Sequence, residues 1–164
     1  MVGGGELIHL LRERIKRISF GNWGRLLSHI NLPLPINIST YNSKFMSDAL
    51  AQLMEDNLKQ VWSERDPIRR MKAIEAIYAK DSVLYHVNDK TEGQEAINNS
   101  VTGTLNNMPK DFCFSRLKPV VINNNVGRLI WGVGPKDKPP LATGMDVAIF
   151  ENGKIKSLYV FLDN

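Results

Sequence analysis

Asp146 stands within an apolar run, Gly144-Met145-Asp146-Val147-Ala148, where a carboxylate is costly unless it is bonded or used. Burial in an apolar pocket would raise its pKa toward neutral, as abstraction of a carbon-bound proton requires. Asp146 is therefore the first candidate for a general base. The competing reading is a structural carboxylate held by backbone amides or by Arg128.

The nearby hairpin suggests a partner. Asn152-Gly153 is the signature of a two-residue type I′ turn, so Glu151 faces Lys154. Counting outward puts Asp146 opposite Tyr159, Ala148 opposite Ser157, Gly144 opposite Phe161 and Phe150 opposite Ile155. Side chains alternate, so these residues share one sheet face, and Met145, Val147, Ile149, Lys156, Leu158 and Val160 take the other. Tyr159 could then donate a hydrogen bond to a developing enolate, or be a core residue with its hydroxyl at the rim.

His86, the one histidine after residue 45, titrates in the range useful for acid or base work. A bonded, non-catalytic histidine is the alternative. Tyr85 precedes it on the same expected strand, so only one of the two can face a pocket. Arg128 could polarise a carbonyl or pair with Asp146, and the pair is favoured. Trp62, Trp131 and Phe161 are expected as pocket or core walls.

Other chemistries find little support. One histidine with scattered carboxylates makes no metal-ligand pattern. Gly132-Val133-Gly134-Pro135 opens no helix that would cradle phosphates, and no serine or cysteine sits in a nucleophile motif. No cofactor is expected. Cys113, the single cysteine, lies between Phe112 and Phe114 and reads as a buried, inert thiol. It allows no internal disulfide and fits a reducing, cytoplasmic setting.

The elements that position these residues follow from periodicity. Met46, Leu50, Leu53, Met54, Leu58, Val61 and Trp62 predict a helix over about 47–63. Asp66-Pro67 reads as an N-cap and first helical proline, with Ile68, Met71, Ile74, Ile77 and Tyr78 marking a second helix to about Lys80. A short strand over 83–87 and a turn at Asn88-Asp89-Lys90 precede a third helix (Ile97, Val101, Leu105, Met108), stopped by Pro109. Strands are then expected at about 112–122, 126–134, 141–150 and 154–162, with Asn123-Asn124-Asn125 as a hairpin turn.

The first 45 residues differ in kind. They carry six basic and two acidic side chains, whereas residues 46–164 hold the remaining 15 of each sign. The net charge of +4 is thus confined to the N-terminal segment, and the domain has no basic excess for nucleic acid. Leu7, Leu11, Ile15 and Ile18 among Arg12, Arg14, Lys16 and Arg17 describe a basic amphipathic helix, and residues 31–40 have linker composition. A membrane-surface helix fits both faces. Glu6 and Glu13 count against a mitochondrial presequence. The favoured expectation is a dispensable extension, with translation starting naturally at Met46. No apolar run is long enough for a secretory signal or a membrane span.

Thr143-Gly144-Met145-Asp146-Val147-Ala148-Ile149-Phe150-Glu151-Asn152-Gly153-Lys154-Ile155 resembles the recurrent glycine, acidic, apolar-strand and turn pattern of the SnoaL-like family in the nuclear transport factor 2-like (ketosteroid isomerase-like) superfamily. Leu158 to Asp163 resembles its aromatic last strand, Glu92 to Ile97 the start of its third helix, and Gly127 to Trp131 a middle strand of bacterial members. The resemblance covers residues 46–164. It implies an α+β fold, a cone-shaped curved antiparallel sheet wrapped by three helices. It also implies a pocket for a small lipophilic molecule and a homodimer. Family enzymes include isomerases, cyclases and other lyases with a carboxylate base; ketosteroid isomerase is a well-known case of carboxylate tuning. Two readings follow: a cofactor-independent isomerase, cyclase or lyase acting on a carbonyl compound, or a non-catalytic binding or dimerisation module.

Overall fold

The computed structural model describes residues 38–163. The basic helix and most of the expected linker lie outside them. Helix α1 spans Ile38–Asp56 and α2 Pro67–Ile77, and α3 spans Gln94–Asn106. The strands are β1 Tyr78–His86, β2 Asp89–Glu92, β3 Phe112–Arg116, β4 Val121–Asn123, β5 Val126–Pro135, β6 Ala142–Glu151 and β7 Lys154–Leu162. Among the described residues no helix is long and apolar enough to cross a membrane.

Helix α1 starts at Ile38, well before the expected Ser47. Neither proline nor glycine occurs between Pro35 and Ser63, so nothing stops the helix extending backward. At its other end it widens into a π-turn, Asn57–Val61, in which the Trp62 N–H reaches the Asn57 carbonyl at 3.1 Å. Asp66 caps α2 as expected, its carboxylate accepting from the Ile68 and Arg69 amides at 2.8 and 3.2 Å. Arg70 is fully buried between α2 and α3, bonded to Asn98 Oδ1 and the Glu64 carbonyl, each at 2.7 Å.

The curved, unclosed sheet runs β2-β1-β7-β6-β5-β3, with β4 also on β5. It is mixed, which corrects the antiparallel expectation: β1 enters from α2 and lies parallel to β7. The expected strand over 112–122 is broken, because Leu117 to Val120, which include Pro119, separate β3 from β4. The concave face carries Leu129, Ala148, Phe150, Ile155 and Leu158 against Met54, Val61, Ile74, Ile97 and Val101 of the helices.

The Asn152-Gly153 turn forms with positive φ at both residues (51° and 73°). Phe150↔Ile155 and Glu151↔Lys154 pair as counted, but the next pair is Ile149↔Ser157. Lys156 is therefore an extra residue in β7, a bulge that moves every later pair by one. Strand β1 is also irregular between Tyr78 and Val83, and Asp81 in that stretch pairs with Lys156.

Candidate active site

Beyond the bulge Asp146 lies opposite Val160, and Val147 opposite Tyr159. Strand β6 alternates as expected, with Gly144, Asp146, Ala148 and Phe150 inward. Strand β7 turns Leu158 and Val160 inward and Tyr159 outward, where its ring stacks on Tyr85 at 4.5 Å. Tyr159 and Tyr85 are thus corrected to the outer face. Phe161, opposite Met145 and 48% exposed, joins them. Arg128 is exposed opposite Val147 and forms no pair with Asp146. One unforeseen residue accounts for the misplacement of Tyr159 and Phe161; Arg128 sits on alternate-face positions of β5, and Tyr85 yields the inner position to His86.

The inner face holds a cavity of about 170 Å³. Trp131 on β5, Asp146 on β6 and Val160 and Leu162 on β7 supply the sheet wall. His86 comes from β1, Leu58 and Trp62 from the end of α1, Thr104 from α3 and Phe114 from β3. Four of the expected site residues, Asp146, His86, Trp62 and Trp131, come together here. Leu58, Thr104, Phe114, Val160 and Leu162 were not foreseen at the site. Val160 and Leu162 needed the bulge. Leu58 and Thr104 carried only a helical-core or polar-surface signal.

Asp146 is 3% exposed and accepts one hydrogen bond from the described residues, from Trp131 Nε1 at 2.8 Å. Burial pushes its carboxyl up to about 7, and the indole N–H works the other way. Trp131 can reach it because the opposing residue is Gly144: a Cβ there would overlap the Trp131 six-membered ring and the Phe161 carbonyl. His86 lies edge-on to Trp62, ring centres 5.9 Å apart, and burial lowers its pKa, so it is neutral at ordinary pH.

Beneath the cavity is a polar cluster with no clear sequence signal. Tyr78, fully buried, donates to Asn57 Oδ1 at 2.7 Å. Burial, and then the Asp146 charge, push its phenol up. Trp62 Nε1 lies near the Tyr78 hydroxyl but is buried without a well-aligned partner. Asn57 follows the buried Leu50 and Met54 at helical spacing, so the helix itself turns it inward to meet Tyr78. Among the described residues no three His, Cys, Asp or Glu converge as metal ligands would.

No family model and no curated protein matches the chain. Solved structures do. A proposed isomerase of the SnoaL-like family from Agrobacterium tumefaciens superposes with a TM-score of 0.65 at 22% identity, covering 71% of this chain and 99% of that one. A proposed SnoaL-like polyketide cyclase from Jannaschia sp. CCS1 gives 0.61 at 12% identity, covering 72% and 88%. A de novo designed protein with a curved β-sheet gives 0.55 at 19% identity, covering 71% and 86%. The chain has the SnoaL-like, nuclear transport factor 2-like fold. A designed protein shares that architecture, so the fold by itself assigns no activity.

Proposed function

We propose that the cavity binds a small neutral carbonyl compound and that Asp146 takes a proton from the carbon beside the carbonyl. The placement of Asp146 carries this reading: a carboxyl at the wall of an apolar cavity, singly hydrogen-bonded, with a pKa of about 7. A base poised near neutral serves this chemistry best. The C–H electron pair moves into the enolate and the proton goes to the carboxylate. Its return to a different carbon gives an isomer, and attack by the enolate carbon on a second carbonyl gives a cyclised product. Neither route needs an oxidant. Neutral His86, on the same cavity, has one ring N–H to offer the enolate oxygen. The SnoaL-like isomerase and cyclase structures support this class of reaction.

The Trp131–Asp146 bond favours a second reading, in which the carboxylate is a structural acceptor and the protein only binds its ligand. Asp146→Asn separates the two, since the amide oxygen can still accept from Trp131. Deuterium exchange at the α-carbon of small enones, followed by NMR in D₂O, is the assay. Catalysis requires wild type to exceed the variant by roughly 100-fold or more. Equal rates favour binding alone.

We also propose that a second copy covers the outer sheet face, where Met145, Val147, Ile149, Tyr85, Tyr159 and Phe161 leave apolar surface facing away from the helices. Light scattering is expected to find a dimer for wild type and a monomer for Val147→Lys.

A further inference from the structure

We infer that the cavity accepts one compact ring or a short-chain carbonyl compound, and that Phe114 sets this limit. The inference rests on the cavity being the binding site proposed above. Its volume of about 170 Å³ is close to the ~150 Å³ that admits benzene, and well short of the ~300 Å³ where pockets for drug-sized ligands begin. Compounds of two to four fused rings exceed this volume and must either move a wall or leave a ring outside, past the exposed Leu162 at the rim.

The wall resists moving. Phe114 packs against Trp62 and Trp131, with ring centres at 5.9 and 5.3 Å. Trp131 is held in turn by Asp146 and lies over Gly144. The Phe114 N–H donates to Ser63 Oγ at 3.3 Å, and that hydroxyl donates to the Leu58 carbonyl at 3.0 Å. Ser63 thereby ties together the two residues, Leu58 and Phe114, that line both the cavity and an open outer groove of about 460 Å³. They are the partition between the two spaces. Removing the Phe114 ring joins them.

The lining also selects by charge. Among the described residues no lysine or arginine lines the cavity, and its polar groups are Asp146, His86 and Thr104. An anionic ligand would meet the Asp146 carboxylate with no cation to offset it. That disfavours anions, and of the remaining ligands neutral carbonyl compounds are the class the proposed proton transfer uses.

Binding of cyclohexenone, β-tetralone, androstenedione and tetramethylammonium to the full chain and to Phe114→Ala, followed by tryptophan fluorescence, tests this. Wild type should bind cyclohexenone at least tenfold more tightly than β-tetralone and should not bind the steroid. Phe114→Ala should gain at least tenfold for β-tetralone. Phe114→Leu is the substitute if the alanine variant does not fold, with a gain of at least threefold. Wild-type preference for the larger ketones, an unchanged order in both variants, binding of the ammonium ion alone, or no binding would each overturn the inference. Cyclohexenone bound without α-exchange would leave the size limit standing and remove the catalytic reading. Exchange of β-tetralone by wild type as fast as of cyclohexenone would do the reverse.

Discussion

Trp131 Nε1 donates to Asp146 Oδ1 at 2.8 Å across adjacent strands of the sheet. The bond stabilises the charged carboxylate in a place where burial opposes it. Trp131→Phe keeps the aromatic wall and removes the donor. The Asp146 pKa is expected to rise further above about 7, moving the acidic limb of any rate profile upward. The stability loss should be about 1–3 kcal/mol, that of a buried charged acceptor left unpaired. Carbon-detected NMR titration of the aspartate carboxyl checks the shift.

The same group makes stability depend on pH. In the unfolded chain Asp146 ionises near 3.8, and in the folded protein near about 7. Between those values the fold retains a proton the unfolded chain has released, so stability falls as pH rises through this window and stays low above it. Asp146→Asn lacks the penalty. Its stability relative to wild type should rise by on the order of 4 kcal/mol from pH 4 to pH 8. Urea melts of both proteins across that range measure it, and parallel curves would show that Asp146 ionises normally.

Gly144 is the seat of Trp131, because an added Cβ would occupy the space of its ring. Gly144→Ala should lose about 1–3 kcal/mol through overpacking and displace the indole from Asp146. The displacement is read as a changed near-ultraviolet circular dichroism spectrum and a weaker pH dependence of stability. Alanine at Gly103, where nothing crowds a Cβ, is the control and should stabilise its helix slightly.

Much of this architecture is legible in the residues themselves. The spacing of Ile97, Val101 and Leu105, the Asp66-Pro67 cap and the Asn152-Gly153 turn each act locally, and each forms as its chemistry dictates. Asp146 could be placed because β6 alternates without interruption. What escaped was non-local. The Lys156 bulge has no local signal, and its side chain meets Asp81 on a strand far away in sequence. Asn57 stands on the buried stripe of Leu50 and Met54, but its polar type hides that, and its partner Tyr78 lies on a different element. Phe114 read only as a neighbour of Cys113, since its role comes from packing against Trp62 and Trp131.

The faces of β7 make a prediction of their own. Tyr159, stacked on Tyr85 outside the cavity, should tolerate Phe with turnover and ligand affinity within twofold of wild type. His86→Ala, which alters the cavity wall and unseats Trp62, should weaken both at least tenfold. A large loss in Tyr159→Phe would mean that the hydroxyl reaches the ligand after all.

Lys156 allows the register itself to be tested. As an exposed ion pair with Asp81 it contributes little, and Lys156→Ala should cost less than about 1 kcal/mol. Deleting Lys156 removes the bulge itself. Without the extra residue the pairs Ile149↔Ser157, Ala148↔Leu158 and Asp146↔Val160 continue directly from Phe150↔Ile155, so Leu158 and Val160 stay inward and Tyr159 and Phe161 outward. Leu158 thus stays fully buried at the centre of the core, and the deletion should cost less than the ~2–5 kcal/mol of a single core truncation. Chemical denaturation of the two variants side by side decides it. A loss well beyond that of a core truncation would mean that Lys156 is not the extra residue and that its deletion has turned Leu158 out of the core.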